Sequence, residues 1–158
     1  MHPSFLSLAA CFVLAVGANP VKPGSVDEGG SRSRCGVVAF EGNGKVWMVH
    51  SKADGLILPK GGYDSDKDSN MEDCVVREAK EEAGVDVIRS SIVALSVDDG
   101  SVHWFKCKVS GHGTRTDASL EGRKPPRALP VADAMTELKK DSKGKKKGMQ
   151  KALKAATK

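Results

Sequence analysis

The chain has 158 residues, 39% of them hydrophobic and 28% charged, with a formal net charge of +5. Beyond a short apolar run near the start, no stretch is long and apolar enough to span a bilayer as a helix, and no membrane partner is expected. Once the leader is set aside, about 125 residues remain, enough for one core and one domain.

Phe5 to Val16 is an apolar run interrupted only by Ser7, and Val16-Gly17-Ala18 offers small residues for cleavage after Ala18. This predicts a secretory signal peptide over residues 1–18, a buried helix being the alternative. Only the terminal amine and His2 charge its start. Residues 19–33, rich in Pro, Gly and Ser, read as a flexible leader. A domain at 34–141 and a Lys-rich helix or tail at 142–158 follow. Arg34 to Phe40 reads as a strand, and Gly42-Asn43-Gly44 as a hairpin turn into Lys45 to His50. Leu56 to Leu58 is a short strand feeding Pro59-Lys60-Gly61-Gly62. The glycine pair lets backbone N–H groups approach a phosphate; an ordinary turn is the alternative.

A helix is predicted over about 70–83. Ser69-x-x-Glu72 reads as its capping box, with Glu72 and Asp73 in the first turn. Val75, Val76, Ala79 and Ala83 form its apolar stripe, and Gly84 suits the left-handed residue that ends it. Val85 to Val97 and Ser101 to Val109 read as strands around Asp98-Asp99-Gly100. Gly111 to Pro126 is a polar loop, and Val131 to Lys140 and Lys145 to Ala156 are helices. The expected class is α/β, a mixed sheet between helices.

The chemistry concentrates in Arg77-Glu78-Ala79-Lys80-Glu81-Glu82-Ala83-Gly84-Val85. On a helix, Glu78, Glu81 and Glu82 fan over roughly 100° of surface. Carboxylates that close repel one another unless a cation lies between them. Hard divalent ions take such oxygen ligands and share them with substrate phosphates. A solvated acidic face is the bland alternative.

With Gly62 upstream, this segment resembles the Nudix box: G, five residues, E, seven residues, then R-E-U-x-E-E-x-G-U, with U apolar. Gly62 fits the opening glycine, and Arg77 through Val85 fit the closing run. The upstream acid departs. The loop is one residue longer than the pattern, with Asp68 as the acid bracing the loop to the helix through Arg77. The resemblance implies the Nudix α/β/α sandwich and hydrolysis of a diphosphate linked to another moiety. It implies Mg²⁺, or Mn²⁺, on the box glutamates, with water as nucleophile. Glu78 and Glu82 are the expected principal metal ligands, Glu81 helps as ligand or base, and Arg77 completes the catalytic set.

Basic residues recur where phosphates would be met: Arg32 and Arg34 before and at the first strand, Lys60 beside Gly61 and Gly62, and Arg123-Lys124 before the late helix. This arrangement resembles the diphosphoinositol polyphosphate phosphohydrolase branch, which takes inositol pyrophosphates, dinucleoside polyphosphates and polyphosphate. A highly anionic ligand needs several Arg and Lys around its pocket. Two features depart from the branch. Asp98, Asp99 and His103 stand where it carries further Arg or Lys, and Pro125-Pro126 stands where it has an aromatic. With a signal peptide, the chain is also similar to secreted Nudix effectors of plant-pathogenic fungi and oomycetes. That implies secretion and action in a host cytoplasm or nucleus.

Two rival readings stand. One is hydrolysis of ADP-ribose, NADH or capped RNA ends, against which the scarcity of base-stacking aromatics argues. The other is a non-catalytic polyanion-binding module. The enzyme is expected to be a monomer acting on a small polyanion. Residues 139–158 hold nine Lys and one Asp, a net +8, so the rest of the chain carries about −3. This tail reads as a solvated end, a nuclear localisation signal, or a weak nucleic-acid contact. Cys11 leaves with the signal. Cys35, Cys74 and Cys107 are expected as buried free thiols, one disulfide plus a spare thiol being the alternative.

Overall fold

The computed structural model describes residues 32–158. The signal peptide expected at 1–18, and the leader apart from its last two residues, lie outside the described residues. Eight strands form one sheet: β1 (Arg34–Phe40), β2 (Lys45–Ser51), β3 (Gly55–Ile57), β4 (Lys60–Gly62), β5 (Val85–Val87), β6 (Val93–Ala94), β7 (Val102–His112) and β8 (Arg127–Pro130). The helices are α1 (Met71–Ala83), α2 (Val131–Lys139) and α3 (Lys147–Ala156). The path runs β3-β2-β1-β7-β5, with β4 on β1, β6 on β7 and β8 on β2. β1 and β7 pair in parallel and the other pairings are antiparallel, so the sheet is mixed.

β1 explains the layering. Its side chains alternate across the pleat, and both faces are buried, which is why it reads as a nearly continuous apolar run. Cys35, Val37 and Ala39 face α1 and share a core with Val75, Ala79, Ala83 and Phe105. Val38 faces the other way, into a core with Met48, Trp104, Leu138, Ala152 and Leu153 from β2, β7, α2 and α3. The expected three-layer sandwich is the observed fold. The boundary expected at residue 141 falls between α2 and α3, two helices that share this second core.

Several local expectations are corrected. The N-cap of α1 is Asn70, whose side chain accepts from the Asp73 amide, and Asp73 Oδ2 accepts from the Ser69 amide at 2.9 Å. The cap therefore forms one residue later than Ser69-x-x-Glu72, and its return bond comes from the Ser69 amide, not from that of the N-cap itself. Cys74 takes a buried place on the helix stripe while Val76 stays half-buried. The strand expected over 85–97 is two short strands around a 3₁₀ turn at Arg89–Ser91, and β8 was not anticipated. Gly84 does take the left-handed conformation, φ 68°. Cys35 and Cys74 are disulfide-bonded, which overturns the three-thiol expectation, and Cys107 remains as a buried free thiol. Burial pushes the Cys107 thiol up to about 12, so it is inert at neutral pH.

Candidate active site

The glycine segment is itself a strand. β4 lies antiparallel to the start of β1, with Arg34 opposite Gly62, Cys35 opposite Gly61 and Gly36 opposite Lys60. This pairing sets residues 60–62 beside α1. Gly61 is required for space, not for backbone freedom: a Cβ there would lie 2.0 Å from the carboxyl carbon of Glu78. The Lys60 amide donates to Glu82 Oε2 at 2.8 Å, joining the strand to the second carboxylate.

Arg77 is the hub. Its Nε donates to Asp68 Oδ1 at 2.9 Å and its Nη2 to Asp68 Oδ2 at 2.6 Å. Nη2 also donates to the Gly62 carbonyl at 2.8 Å, while Nη1 donates to Glu78 at 2.7 Å and Glu81 at 2.9 Å. Asp68, whose side chain is wholly buried, accepts the Asp64 amide as well. Its carbonyl accepts from the Tyr63 hydroxyl. An Asp in the one-residue-longer loop therefore does brace the loop–helix join. The hydrogen bond to Asp68 is the main cause that holds the Arg77 guanidinium charged.

Burial pushes the Glu78 carboxyl above its ordinary value, against the Arg77 hydrogen bond. Burial likewise raises Glu82, to about 7, against the Lys60 amide. Desolvated carboxylates that resist ionisation are a donor set whose charge a hard cation would stabilise. Their chemistry fits a divalent ion, with Glu78, Glu81 and Glu82 as its holders. Among the described residues no three His, Cys, Asp or Glu side chains already converge on one point. Glu78 and Glu81 are turned to Arg77 and Glu82 to the Lys60 amide, so a shared ion requires these side chains to turn.

The expected phosphate-binding residues fall into two groups. Arg32, Arg34, Lys60, Gly61 and Gly62 lie around β4. The Arg32 guanidinium packs 3.5 Å from a Cβ position on Gly62 and lies 3.9 Å from Asp64. Lys60 is held below the usual ammonium value by burial and then by Arg34. Arg123 and Lys124 instead line a cleft of about 300 Å³ with His50, Ser51, Lys52, Ala53 and Gly55. The Arg115 guanidinium organises this loop by donating to the carbonyls of Leu120, Arg123 and Lys124. Burial, then Lys124 and Arg127, hold the His50 imidazole low, Glu137 opposes them, and Arg115 adds to the lowering. His50 and Lys52 were missed in the sequence because neither sits in a motif. His103, opposite Cys35 on β7, is also held low by burial, which disfavours its cationic form.

Residues 30–152 match the NUDIX domain. No curated protein matches the chain. Among solved structures, the chain is similar to a NUDIX hydrolase from Nitrosomonas europaea at 16% identity and TM-score 0.54, covering 76% of this chain and 86% of that one. It is similar to an ADP-ribose pyrophosphatase from Streptococcus suis at 20% identity and TM-score 0.52, covering 79% and 92%. The solution structure of the E. coli ORF135 protein matches at 17% identity and TM-score 0.52, covering 82% and 91%. At these identities the likeness is one of fold.

Proposed function

The chain belongs to the NUDIX domain family, whose members hydrolyse phosphoric anhydrides with divalent metals, and we propose that its substrates are inositol pyrophosphates. Dinucleoside polyphosphates and polyphosphate are further substrates of the same kind. The observation that carries this reading is the cleft of His50, Lys52, Arg123 and Lys124, with Arg115 and Arg127 close enough to act on His50. So much positive charge beside one cleft suits a ligand with many phosphates.

In this reading Glu78 and Glu82 are the principal holders of Mg²⁺ or Mn²⁺, with Glu81 assisting. When bound, the ion neutralises phosphate charge and acidifies a water. Arg77 positions Glu78 and Glu81, and the Lys60 amide orients Glu82. Arg32, Arg34 and Lys60 receive phosphate oxygens beside Gly61 and Gly62. The scarcity of open aromatic rings argues against a nucleobase site: among the described residues no Phe, Tyr or Trp is exposed, Phe40 and Trp47 being half-buried and Tyr63 and Trp104 2% and 1% accessible.

We further propose export, with action inside a host cell. The apolar run at 5–16 supports export, and so does the Cys35–Cys74 disulfide, a bond that persists in oxidising compartments. The test is phosphate release by the full chain with Mg²⁺ from inositol pyrophosphate, diadenosine polyphosphate, ADP-ribose and capped RNA side by side. Release from the inositol pyrophosphate that Glu82→Gln abolishes supports the reading. Release from nucleotides alone refutes the substrate class, and no mutant-sensitive release refutes the enzyme.

A further inference from the structure

The Lys-rich tail is not a frayed end. α3 is amphipathic, and its apolar side is used up in the core: Met149, Ala152, Leu153 and Ala156 are all buried. Gly148 belongs to that buried side, because a Cβ there would lie 1.9 Å from the Asp99 carboxyl carbon, and Asp99 is fixed by the Trp104 indole N–H at 2.8 Å. Packing therefore sets the rotation of α3 about its axis.

That rotation puts Lys147, Lys151 and Lys154 on the exposed side. At 100° per residue they fall within about 60° of arc and span about 10 Å of helix. Lys139, exposed at the end of α2, faces the same groove of about 460 Å³, with Met135 and Gln150 between. Lys140, Lys143 and Lys145 extend the basic surface along the α2–α3 connection. Among the described residues, Lys139, Lys147, Lys151 and Lys154 have no carboxylate partner. Lys151 reaches only the Asp98 carbonyl, at 3.4 Å. Lys140 is paired with Glu137 and Lys145 lies 3.9 Å from Asp54.

We propose that the groove between α2 and α3 is a binding surface for the phosphate backbone of a nucleic-acid duplex, held by Lys139, Lys147, Lys151 and Lys154. A row of lysines on a helix face fixed by packing matches a backbone of regularly spaced phosphates. The face carries no aromatic ring, so it does not stack unpaired bases as single-strand binders do. A membrane surface is disfavoured because a helix lying in an interface needs a free apolar side, and that of α3 is buried. Contact is to phosphates alone and carries no sequence preference.

The test is fluorescence anisotropy of the full chain with a 5′-labelled duplex across a salt series. Lys147→Gln, Lys151→Gln and Lys154→Gln together are compared with a second triple, Lys45→Gln, Lys67→Gln and Lys108→Gln, that removes the same charge elsewhere. The α3 triple is expected to weaken binding on the order of tenfold and to flatten the log–log salt slope by about 3. The second triple should do neither, and the Lys→Arg version of the α3 triple should bind as the parent does. Circular dichroism confirms that each variant is folded. No duplex binding by the parent at about 50 mM salt overturns the proposal. Equal weakening by both Gln triples does so too, as does α3-dependent binding to anionic vesicles without duplex binding. None of these outcomes bears on phosphate release at Glu82.

Discussion

Replacing Asp68 with Asn should destabilise the fold by about 3 kcal/mol. The side chain of Asp68 is 0% accessible and that of Arg77 16%, so solvent screens their pairing little. Two charge-assisted hydrogen bonds join them, at 2.6 and 2.9 Å. Such bonds contribute about 1.5–3 kcal/mol each, and breaking a buried pair by removing one partner costs about 3–5. Asn keeps one acceptor but sets an amide N–H₂ against a donor. Glu78 and Glu81 remain to balance Arg77, which places the cost at the low end of that range. Urea unfolding of the full chain at neutral pH measures it, and the midpoint should fall with an unchanged slope. In a thermal scan the loss corresponds to about 10 °C. Phosphate release should fall as well, since Arg77 also holds the Gly62 carbonyl. A loss under about 1 kcal/mol would refute the reasoning, because the pair would then behave as an exposed surface ion pair.

Two further outcomes follow from the same geometry. In chelator, stability should fall as pH rises from about 4.5 to about 7, because folded Glu82 retains a proton there that the unfolded chain releases. Glu82→Gln should lose that part of the slope, and parallel stability–pH curves for the two proteins would refute it. Removing the disulfide with Cys35→Ala and Cys74→Ala should cost about 4 kcal/mol from loop entropy alone, given a separation of 39 residues. Denaturation of the parent in reductant should approach the double variant, and a gap of more than about 2 kcal/mol between them would show that the cost comes from altered packing instead.

The local features were legible in the sequence. α1, its acidic first turn and its glycine stop are written in residues a few positions apart, so they depend little on the rest of the fold. The bracing role of Asp68 was also legible, because the resemblance to the Nudix box implies an acid at that place in the loop, and the structure puts Asp68 on Arg77. The first core strand was readable because β1 is apolar on both faces. Three-residue β4 and four-residue β8 were not, since such short strands carry no periodicity and exist only through their pairing with β1 and β2. His50 and Lys52 joined the basic cleft without any motif to mark them.

By itself the sequence determined the box helix, its three glutamates and the family to which the chain belongs. Those are patterns of spacing along one element, and helical geometry converts spacing into a common face. Only the tertiary structure decided what the glutamates meet. Cys35 reaches Cys74 across 39 residues, Glu82 meets the Lys60 amide across 22, and the buried Lys146 ammonium donates to the Leu56 carbonyl across 90. These contacts follow from sheet register and from which side of each helix the core takes. The same physics separates the lysines of the tail: Lys146 is buried at 2% exposure while Lys147 beside it faces water. A count of charges cannot distinguish neighbours in that way, whereas the packing of α3 against Asp99 and Leu138 does.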